Sequence, residues 1–451
     1  MSSKEKYDVA VIGAGASGTL LSAQFNRHAP RGARLTLIGT GSRPARGVAY
    51  ETNFLANVLN VPAGNMSAFP DDREHFIRWL RSRIPGSDSG TFAPRLVYGE
   101  YLEGILADTL QRETVTLRDD RAVKLTRDTD KWLVHTQDDS PISANSVVIA
   151  IGNALAPDSP LDISTILPWY RGVPWSPEAI EGLSRTASVL LIGTGLTTVD
   201  VALSLRESGH DGPIHAVSRH GRLYCHHKPY TPQPLTEVPG EFRTPHAALR
   251  WTRAAVSNLQ KSGGDWRAVI DSLRPYTAQI WSNWTLKQKS SFLRHARNLW
   301  DIHRHRMAPE VAGQLNTLLD NRILTIHSGR LLKAESIGTK ARITIRQTHT
   351  NETFALDVDR VVNCTGPSRN YTKTEIPLIA NLRDNGWLTP DKLRLGIKTG
   401  TNGQLIDKDG SYVPDLYTIG PLRIPALLES IAIPEIRVQA EELAQLLVKQ
   451  H

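Results

Sequence analysis

The stretch YDVAVIGAGASGTLLSAQF, Tyr7–Phe25, decides the fold. It opens with a short apolar strand, Asp8–Ile12, continues through Gly13, Gly15 and Gly18 in GxGxxG spacing, and runs into a helix beginning near Ala16 and Ser17. The three glycines act differently. Gly13 permits the tight turn, Gly15 lets the backbone approach a pyrophosphate, and Gly18 lets the helix pack on the strand. The helix N-terminus faces the negative charge. A following strand, ARLTLIG at 33–39, completes a dinucleotide-binding (Rossmann-like) unit. The acidic residue that usually ends such a strand and binds a ribose hydroxyl is replaced by Gly39, Thr40, Gly41 and Ser42, which leaves Thr40 or Ser42 to make that contact.

The pattern recurs at 187–209, ASVLLIGTGLTTVDVALSLRESG, with Gly193 and Gly195 in the turn, Leu196 and Thr197 at the helix start, and Thr198 where a third glycine would stand. Two such units suggest two dinucleotides. The strand after the second one, PIHAVSRHG, ends in Ser218, Arg219 and His220 instead of an acid. An arginine there pairs with the 2′-phosphate that separates NADPH from NADH, so NADPH is expected.

An internal repeat sets the order of domains. Residues 121–153 and 329–366 each read as alternating strands with polar turns, then an apolar strand that reaches a small residue and glycine, at Gly152 and Gly366. These are the two crossings expected between a flavin domain and an inserted nicotinamide domain. The expected fold is therefore α/β, with two dinucleotide-binding domains of the two-dinucleotide flavoprotein type and a helical insertion. Its expected divisions are the first half of an FAD domain at 1–165, an NADPH domain at 166–330 with an insert at about 223–319, and the second half of the FAD domain at 331–451.

Bulk properties exclude other classes. The 451 residues are 40% hydrophobic and 22% charged, as in ordinary globular proteins. The formal charge of +8 is interleaved along the chain and forms no tail, which argues against nucleic acid and for anionic small ligands. Two cysteines, Cys225 and Cys364, form no CxxC pair, so no local dithiol centre is expected and the setting reads as reduced and cytoplasmic. No apolar run approaches a membrane span, and the start of the chain lacks the apolar core of a signal segment.

Within the insert, Arg294, Arg304 and Arg306 cluster with His295, His305, Phe292 and Trp300 and suit an anionic substrate or the nucleotide phosphates. His226, His227, His303 and His305 lack the carboxylate or cysteine partners that would complete a metal site, so no metal is expected.

Several stretches in their order along the chain, GVAYETNFLANVLNVPAGNMSAFPDD (47–72), FAPRLVYGEYL (92–102), GTGLTTVDVALSL (193–205), VSRHG (217–221), DWRAVIDSLRP (265–275), FLRHARNLWDIHRHRMAP (292–309) and LYTIGPL (416–422), followed by IPEIRVQA (433–440), resemble the bacterial FAD-NAD(P)-binding proteins related to the flavin-dependent amino-acid N-hydroxylases and the wider class B flavin monooxygenases. The chain departs from that pattern at 421–437, which lacks the Arg-Gly and Trp expected before the acid, here Glu429, and this leaves the substrate open.

The resemblance implies an FAD- and NADPH-dependent monooxygenase that N-hydroxylates a small amine or amino acid through a flavin hydroperoxide, with molecular oxygen as co-substrate. The long irregular loop at 47–72 would then fold over the flavin, with Asn60, Val61, Pro62 and Met66 shielding the ring. Backbone amides at Ile431 and Ala432, beyond the strand that reaches Gly420, would stabilise charge on the reduced flavin. A reductase or dehydrogenase with another acceptor, or a nucleotide-binding regulator without turnover, stays open beside it. So does a homo-oligomer.

Overall fold

The computed structural model describes residues 7–41, 43–138, 140–153, 161, 163 and 167–449. Ser42, the second candidate for the ribose contact, lies outside them. The chain opens with β1 (Tyr7–Ile12), α1 (Ala16–His28), β2 (Ala33–Ile38), the short helix α2 (Gly47–Tyr50), α3 (His75–Arg83), α4 (Arg95–Leu110) and β3 (Val115–Arg118). An antiparallel trio, β4 (Ala122–Asp128), β5 (Lys131–Thr136) and β6 (Ile142–Ala144), leads to β7 (Ser146–Ile149).

The second domain begins at β8 (Tyr170–Arg171) and continues through β9 (Val189–Ile192), α5 (Leu196–Glu207) and β10 (Ile214–Ser218). Helices α6 (Pro245–Lys261), α7 (Trp266–Ser272), α8 (Thr277–Asn283), α9 (Leu286–His295), α10 (Arg297–Arg304) and α11 (Pro309–Asp320) precede β11 (Leu324–Ile337), β12 (Lys340–Gln347), β13 (Thr353–Val358) and β14 (Arg360–Asn363). The chain then returns to the first domain with α12 (Pro377–Asp384), β15 (Gln404–Ile406), β16 (Tyr412–Thr418), α13 (Ile424–Leu427) and α14 (Ile433–Lys449).

The first sheet has the order β15-β16-β7-β1-β2-β3 and is parallel except at β15; the second runs β13-β12-β11-β10-β9-β14-β8, parallel from β8 to β11 and antiparallel beyond. Their central strands, SVVI in β7, VLLI in β9 and RVVN in β14, are buried at every position because helices or further strands cover both faces. Helix α1 packs beside α4 and α14 on one face of the first sheet, while β4–β6 and α12 cover the other. In the second domain α5 and α11 share one core, and Trp169, Tyr170 and the β12–β13 hairpin supply the opposite one.

Two expected boundaries move. The limit at 330 falls inside β11, and β12–β14 belong to the second sheet, so that domain ends near Asn363, at the crossing marked by Gly366. Helix α11, expected in the insert, is the crossover between β10 and β11 and packs on α5 through Val311, Leu315 and Leu318. The insert proper is α6–α10, with its own core around Trp281, Trp284 and Phe292.

The domains are fastened through one face of α5. Asp200 pairs with Arg95 at 2.9 Å, Ser204 Oγ donates to Asn57 at 3.0 Å, and Glu207 accepts from the backbone N–H groups of Leu55 and Ala56. Their spacing of four and three residues aligns these side chains on the helix. The loop at 47–72 is thus held between the two domains.

Candidate functional site

At the first glycine turn, Gly13 has φ +116° and a Cβ there would lie 2.4 Å from the carbonyl oxygen of Ala150, just beyond β7. A Cβ on Gly18 would meet the Gly13 oxygen at 2.0 Å, and one on Gly39 would meet Ala14 N at 2.6 Å. These three glycines are required by backbone packed on backbone. Gly15 differs: its Cβ would meet only Gly47 backbone atoms, the nearest being Cα at 3.4 Å, which leaves the N-cap of α1 open for a ligand. No side chain caps that helix and no acid stands in its first turn, so the amides near Ala16 and Ser17 face outward with an anion's complement of charge. Gly420, with φ +79°, brings the end of β16 so close that a Cβ would touch Ser17 Oγ at 2.8 Å. Thr40 is exposed at the end of β2.

The second turn repeats this geometry. Gly193 has φ +120° and faces the Cys364 carbonyl as Gly13 faces that of Ala150, and Gly195 is the uncapped N-cap of α5 before Leu196 and Thr197. Gly152 and Gly366 have φ of +62° and +86° at matching places beyond β7 and β14, with open space where a side chain would go. Ser218 is tied inward, bonded to Thr194 Oγ1 at 2.9 Å and accepting from Gly221 N at 3.0 Å. Arg219 is held by its carbonyl, which accepts from Thr348 Oγ1 at 2.7 Å, while its side chain is exposed. Partial burial and the charges of Arg222, Arg219 and Arg330 hold the His220 imidazole below its usual pKa, so the strand end is a cationic patch.

Between the domains and the insert lies a cleft of about 220 Å3. The loop contributes Asn60, Val61, Pro62 and Asn65; the turn before α14 contributes Glu429, Ile431 and Ala432, with Glu435 from the helix itself; the insert side contributes Asp271, Arg274, Arg304 and Arg306, with His227 and Tyr230. Ion pairs order it: Arg304 with Glu429 at 2.7 Å, Arg274 with Glu435 at 2.8 Å, and Arg306 with Asp271 at 2.5 Å. The Arg306 guanidinium also lies about 6 Å from the ring centres of Tyr230 and Trp266. His227 Nε2 sits 3.0 Å from the Asn60 carbonyl, and burial lowers its pKa to about 4. The ring is therefore neutral at pH 7 and donates that hydrogen to the loop. His305 is likewise held well below its usual pKa by burial and surrounding arginines.

The cleft thus brings Asn60, Val61, Arg304, Arg306, Ile431 and Ala432 together. Two expected members stand elsewhere. Arg294 is exposed in the last turn of α9 and does not line the cleft. Met66 is 2% exposed within the first domain's core, its carbonyl accepting from Tyr98 Oη at 3.0 Å, so it does not line the cleft. Asp271, Arg274 and Glu435 escape a reading of the sequence, although they lie within stretches quoted above; their signal is opposite charge spread over 160 residues of chain. Of the four histidines, His227 and His305 both line the cleft, and no metal-binding group of three His, Cys, Asp or Glu occurs among the described residues. Among those residues, no helix is long and apolar enough to cross a membrane.

Residues 10–154 match the family model described as FAD-NAD(P)-binding. No curated protein matches the chain. Among solved structures, the chain is similar to an ornithine N-hydroxylase from Kutzneria sp. 744 (16% identity, 99% of this chain and 100% of that one, TM-score 0.62) and to L-lysine 6-monooxygenase from Pseudomonas syringae (15%, 99% and 99%, 0.65). It also resembles thioredoxin reductase from Lactococcus lactis (13%, 98% and 98%, 0.55). At such identities the likeness is one of fold. The chain has the fold of the two-dinucleotide flavoproteins, and its residues 10–154 carry the FAD-NAD(P)-binding family signature.

Proposed function

We propose that the chain is an FAD- and NADPH-dependent monooxygenase that N-hydroxylates an amine. The carrying observation is the charged cleft, where the loop at 60–65, the start of α14 and the insert meet; Ser430, in the turn before α14, donates to the carbonyl of Gly420, which in turn closes on Ser17 of the first glycine turn. The open N-cap at Gly15, the amides of Ala16 and Ser17, and the close approach of Gly420 fit a pyrophosphate-bearing cofactor such as FAD. The N-cap at Gly195 and the patch at Arg219, His220 and Arg222 fit NADPH.

Bound FAD would supply the chemistry, taking a hydride from NADPH and passing the electrons to oxygen. The chain's residues would do the rest. Neutral His227 anchors Asn60 so that the loop keeps one shape over the site. Asn60, Val61, Pro62 and Ile431 exclude water from it. The backbone amides at Ile431 and Ala432, before α14, face developing negative charge, and Glu429 with Glu435 holds Arg304 and Arg274 in place around the site.

A disulfide reductase is the second reading that the fold brings to mind. It is disfavoured by the thiols: Cys225 and Cys364 are both free, the first in the loop that leads into the insert and the second just beyond β14, and burial raises the pKa of each. The test is oxygen uptake by the FAD-loaded protein with NADPH and a panel of amines, with mass analysis of the products. One hydroxylated amine per NADPH supports the proposal; NADPH oxidation that yields only peroxide with every amine defeats it.

A further inference from the structure

The insert holds a second space, of about 460 Å3, that opens to solvent at α6, where the exposed residues Arg253, Ser257 and Gln260 line it. Trp281, Trp284 and Phe292 are buried parts of its wall, 0%, 6% and 8% exposed, and Trp266 and Trp300 are partly exposed ones. Its volume is that of a small-molecule site, about 300–1,000 Å3, and its lining has the apolar and aromatic character of such sites. The hollow is separate from the charged cleft. Helices α7 and α10 form the partition, with Ile270 and His303 lining the hollow and Asp271 and Arg304 the cleft.

The polar groups of this wall are largely committed elsewhere. Trp281 Nε1–H donates to the Pro425 carbonyl at 2.8 Å, Trp284 Nε1–H to that of Phe242 at 3.0 Å, and Trp300 Nε1–H to Glu429 at 3.2 Å. Three of the indoles therefore offer the hollow only their hydrocarbon. Thr252 Oγ1 donates to the Ala248 carbonyl at 2.8 Å, and His303 Nδ1 lies 2.8 Å from the Leu299 carbonyl, to which it must donate.

Charge divides the two spaces further. In the cleft, each of Arg274, Arg304 and Arg306 holds a carboxylate in an ion pair of 2.8 Å or less. No Asp or Glu lines the hollow, and its one arginine, Arg253, has neither an ion pair nor a hydrogen bond among the described residues. Beside Arg253, the residues Ala248, Leu249, Thr252 and Val256 recur at helical spacing along the hollow, yet in all of α6 only Ala248 and Leu259 are buried. Such a stripe is stabilised by whatever removes it from water. A guanidinium, for its part, takes a carboxylate through two parallel N–H groups. An apolar hollow with one unmatched cation at its mouth is complementary to an apolar molecule that ends in an anion.

We propose that the hollow is a binding site for an alkyl carboxylate of medium chain length, with the chain against the indoles and the carboxylate held at the mouth by Arg253. This ligand stays on its own side of α7 and α10, apart from the amine chemistry of the cleft, and its binding does not depend on that chemistry.

The experiment is a titration of the full-length chain with n-alkanoates from butanoate to dodecanoate, by calorimetry and tryptophan fluorescence, beside the n-alkylamines and n-alkanols of the same lengths. The expected result is carboxylate affinity that rises about two- to fourfold per added methylene until the hollow is full, with a change in indole emission. Decanoate should bind about tenfold or more tighter than decylamine. Arg253→Gln should weaken decanoate about five- to tenfold and leave decanol unchanged. Val256→Trp, and independently Thr252→Trp, fill the hollow from α6 and should abolish the gain with chain length for acid and alcohol alike. An amine or alcohol that binds as tightly as the acid overturns the proposal, as does a decanoate affinity that Arg253→Gln leaves unchanged or a gain that survives both filling variants. So does a concentration-dependent dimer that both filling variants disrupt while no carboxylate binds, because a second copy then covers this face. The titration reads binding without turnover, so its outcome stands apart from that of the oxygen-uptake test.

Discussion

The two glycine turns share a backbone path and differ in what surrounds it. In the first, the third glycine cannot be replaced: Gly18 lies against the Gly13 carbonyl, and Gly39 closes on Ala14 from the next strand. In the second, Thr198 fills the corresponding position, 1% exposed, and the following strand ends in a cationic patch instead of a packed glycine. The helices that follow diverge too, since α1 carries Leu20, Gln24 and Arg27 where α5 carries Asp200, Ser204 and Glu207. One unit is a tight clasp sunk between helices. The other is a looser one whose helix has been recruited to hold the domains together. One motif is thus set in two different surroundings, through differences outside the first two glycines.

Exchanging the third positions puts this contrast under the greatest load. Gly18→Thr places a side chain where even a Cβ would overlap backbone, so a loss of more than about 3 kcal/mol and colourless protein are expected. Thermal melting and flavin absorbance check it, and a yellow, stable variant would show that the two turns are not sterically different.

Next comes the fastening face of α5. Asp200→Asn mimics the protonated carboxyl that the fold favours and should cost little at pH 7, whereas Asp200→Leu leaves the Arg95 guanidinium, 15% exposed, with no partner there, for an expected loss of about 2–4 kcal/mol. The double change Asp200→Leu with Arg95→Met should recover most of that loss, as a double-mutant cycle in urea would show. The same carboxyl adds a pH dependence. Burial raises its pKa from 3.8 to about 6 despite Arg95, so the folded chain binds this proton more tightly than the unfolded one. Its contribution to stability is full at low pH and lost as pH rises from about 4 to about 6. The difference between wild type and Asp200→Asn should therefore vary across that window and stay level above it.

Arg219→Ala probes the patch that the first unit lacks. It should raise KM for NADPH by about 10- to 100-fold while leaving that for NADH nearly unchanged. Equal losses with both nucleotides would assign Arg219 a structural role.

Much of this was legible in the sequence because it rests on local backbone needs. Gly13, Gly15 and Gly193 announce turns by spacing, and Gly152 and Gly366 announce the crossings by repeating after apolar strands. The cleft was legible only in part. Arg304 and Arg306 stood out as a basic run, but their carboxylates, Glu429 and Asp271, come from elsewhere in the chain and pair only in the folded state. Arg294 drew notice by proximity in sequence, and one helical turn suffices to send it to the surface. Met66 sits in an irregular loop whose burial pattern has no period to read, and its neighbours Tyr98 and Tyr101 close the core around it. The cavity in the insert left the faintest trace, since aromatic residues at helical spacing look the same whether they pack on each other or around a space.

The smallest expected effect concerns Thr198 itself. Thr198→Gly restores the three-glycine pattern in the second unit, so a reading from motif alone expects improved nucleotide binding. The geometry argues otherwise. Thr198 Oγ1 lies 3.5 Å from where a Gly193 Cβ would stand, an ordinary van der Waals distance, so the turn is already relaxed around the side chain. Removing it gives up buried packing and places glycine in the first turn of α5, for a loss of about 1 kcal/mol in stability. The Kd for NADPH should change by less than about twofold, because Gly195 and the cationic patch, which would meet the nucleotide, are untouched. Calorimetry with NADP+ beside a thermal melt decides it. Tighter binding would mean that Thr198 holds α5 away from the phosphate, and that the second turn is a strained copy of the first instead of a relaxed variant of it.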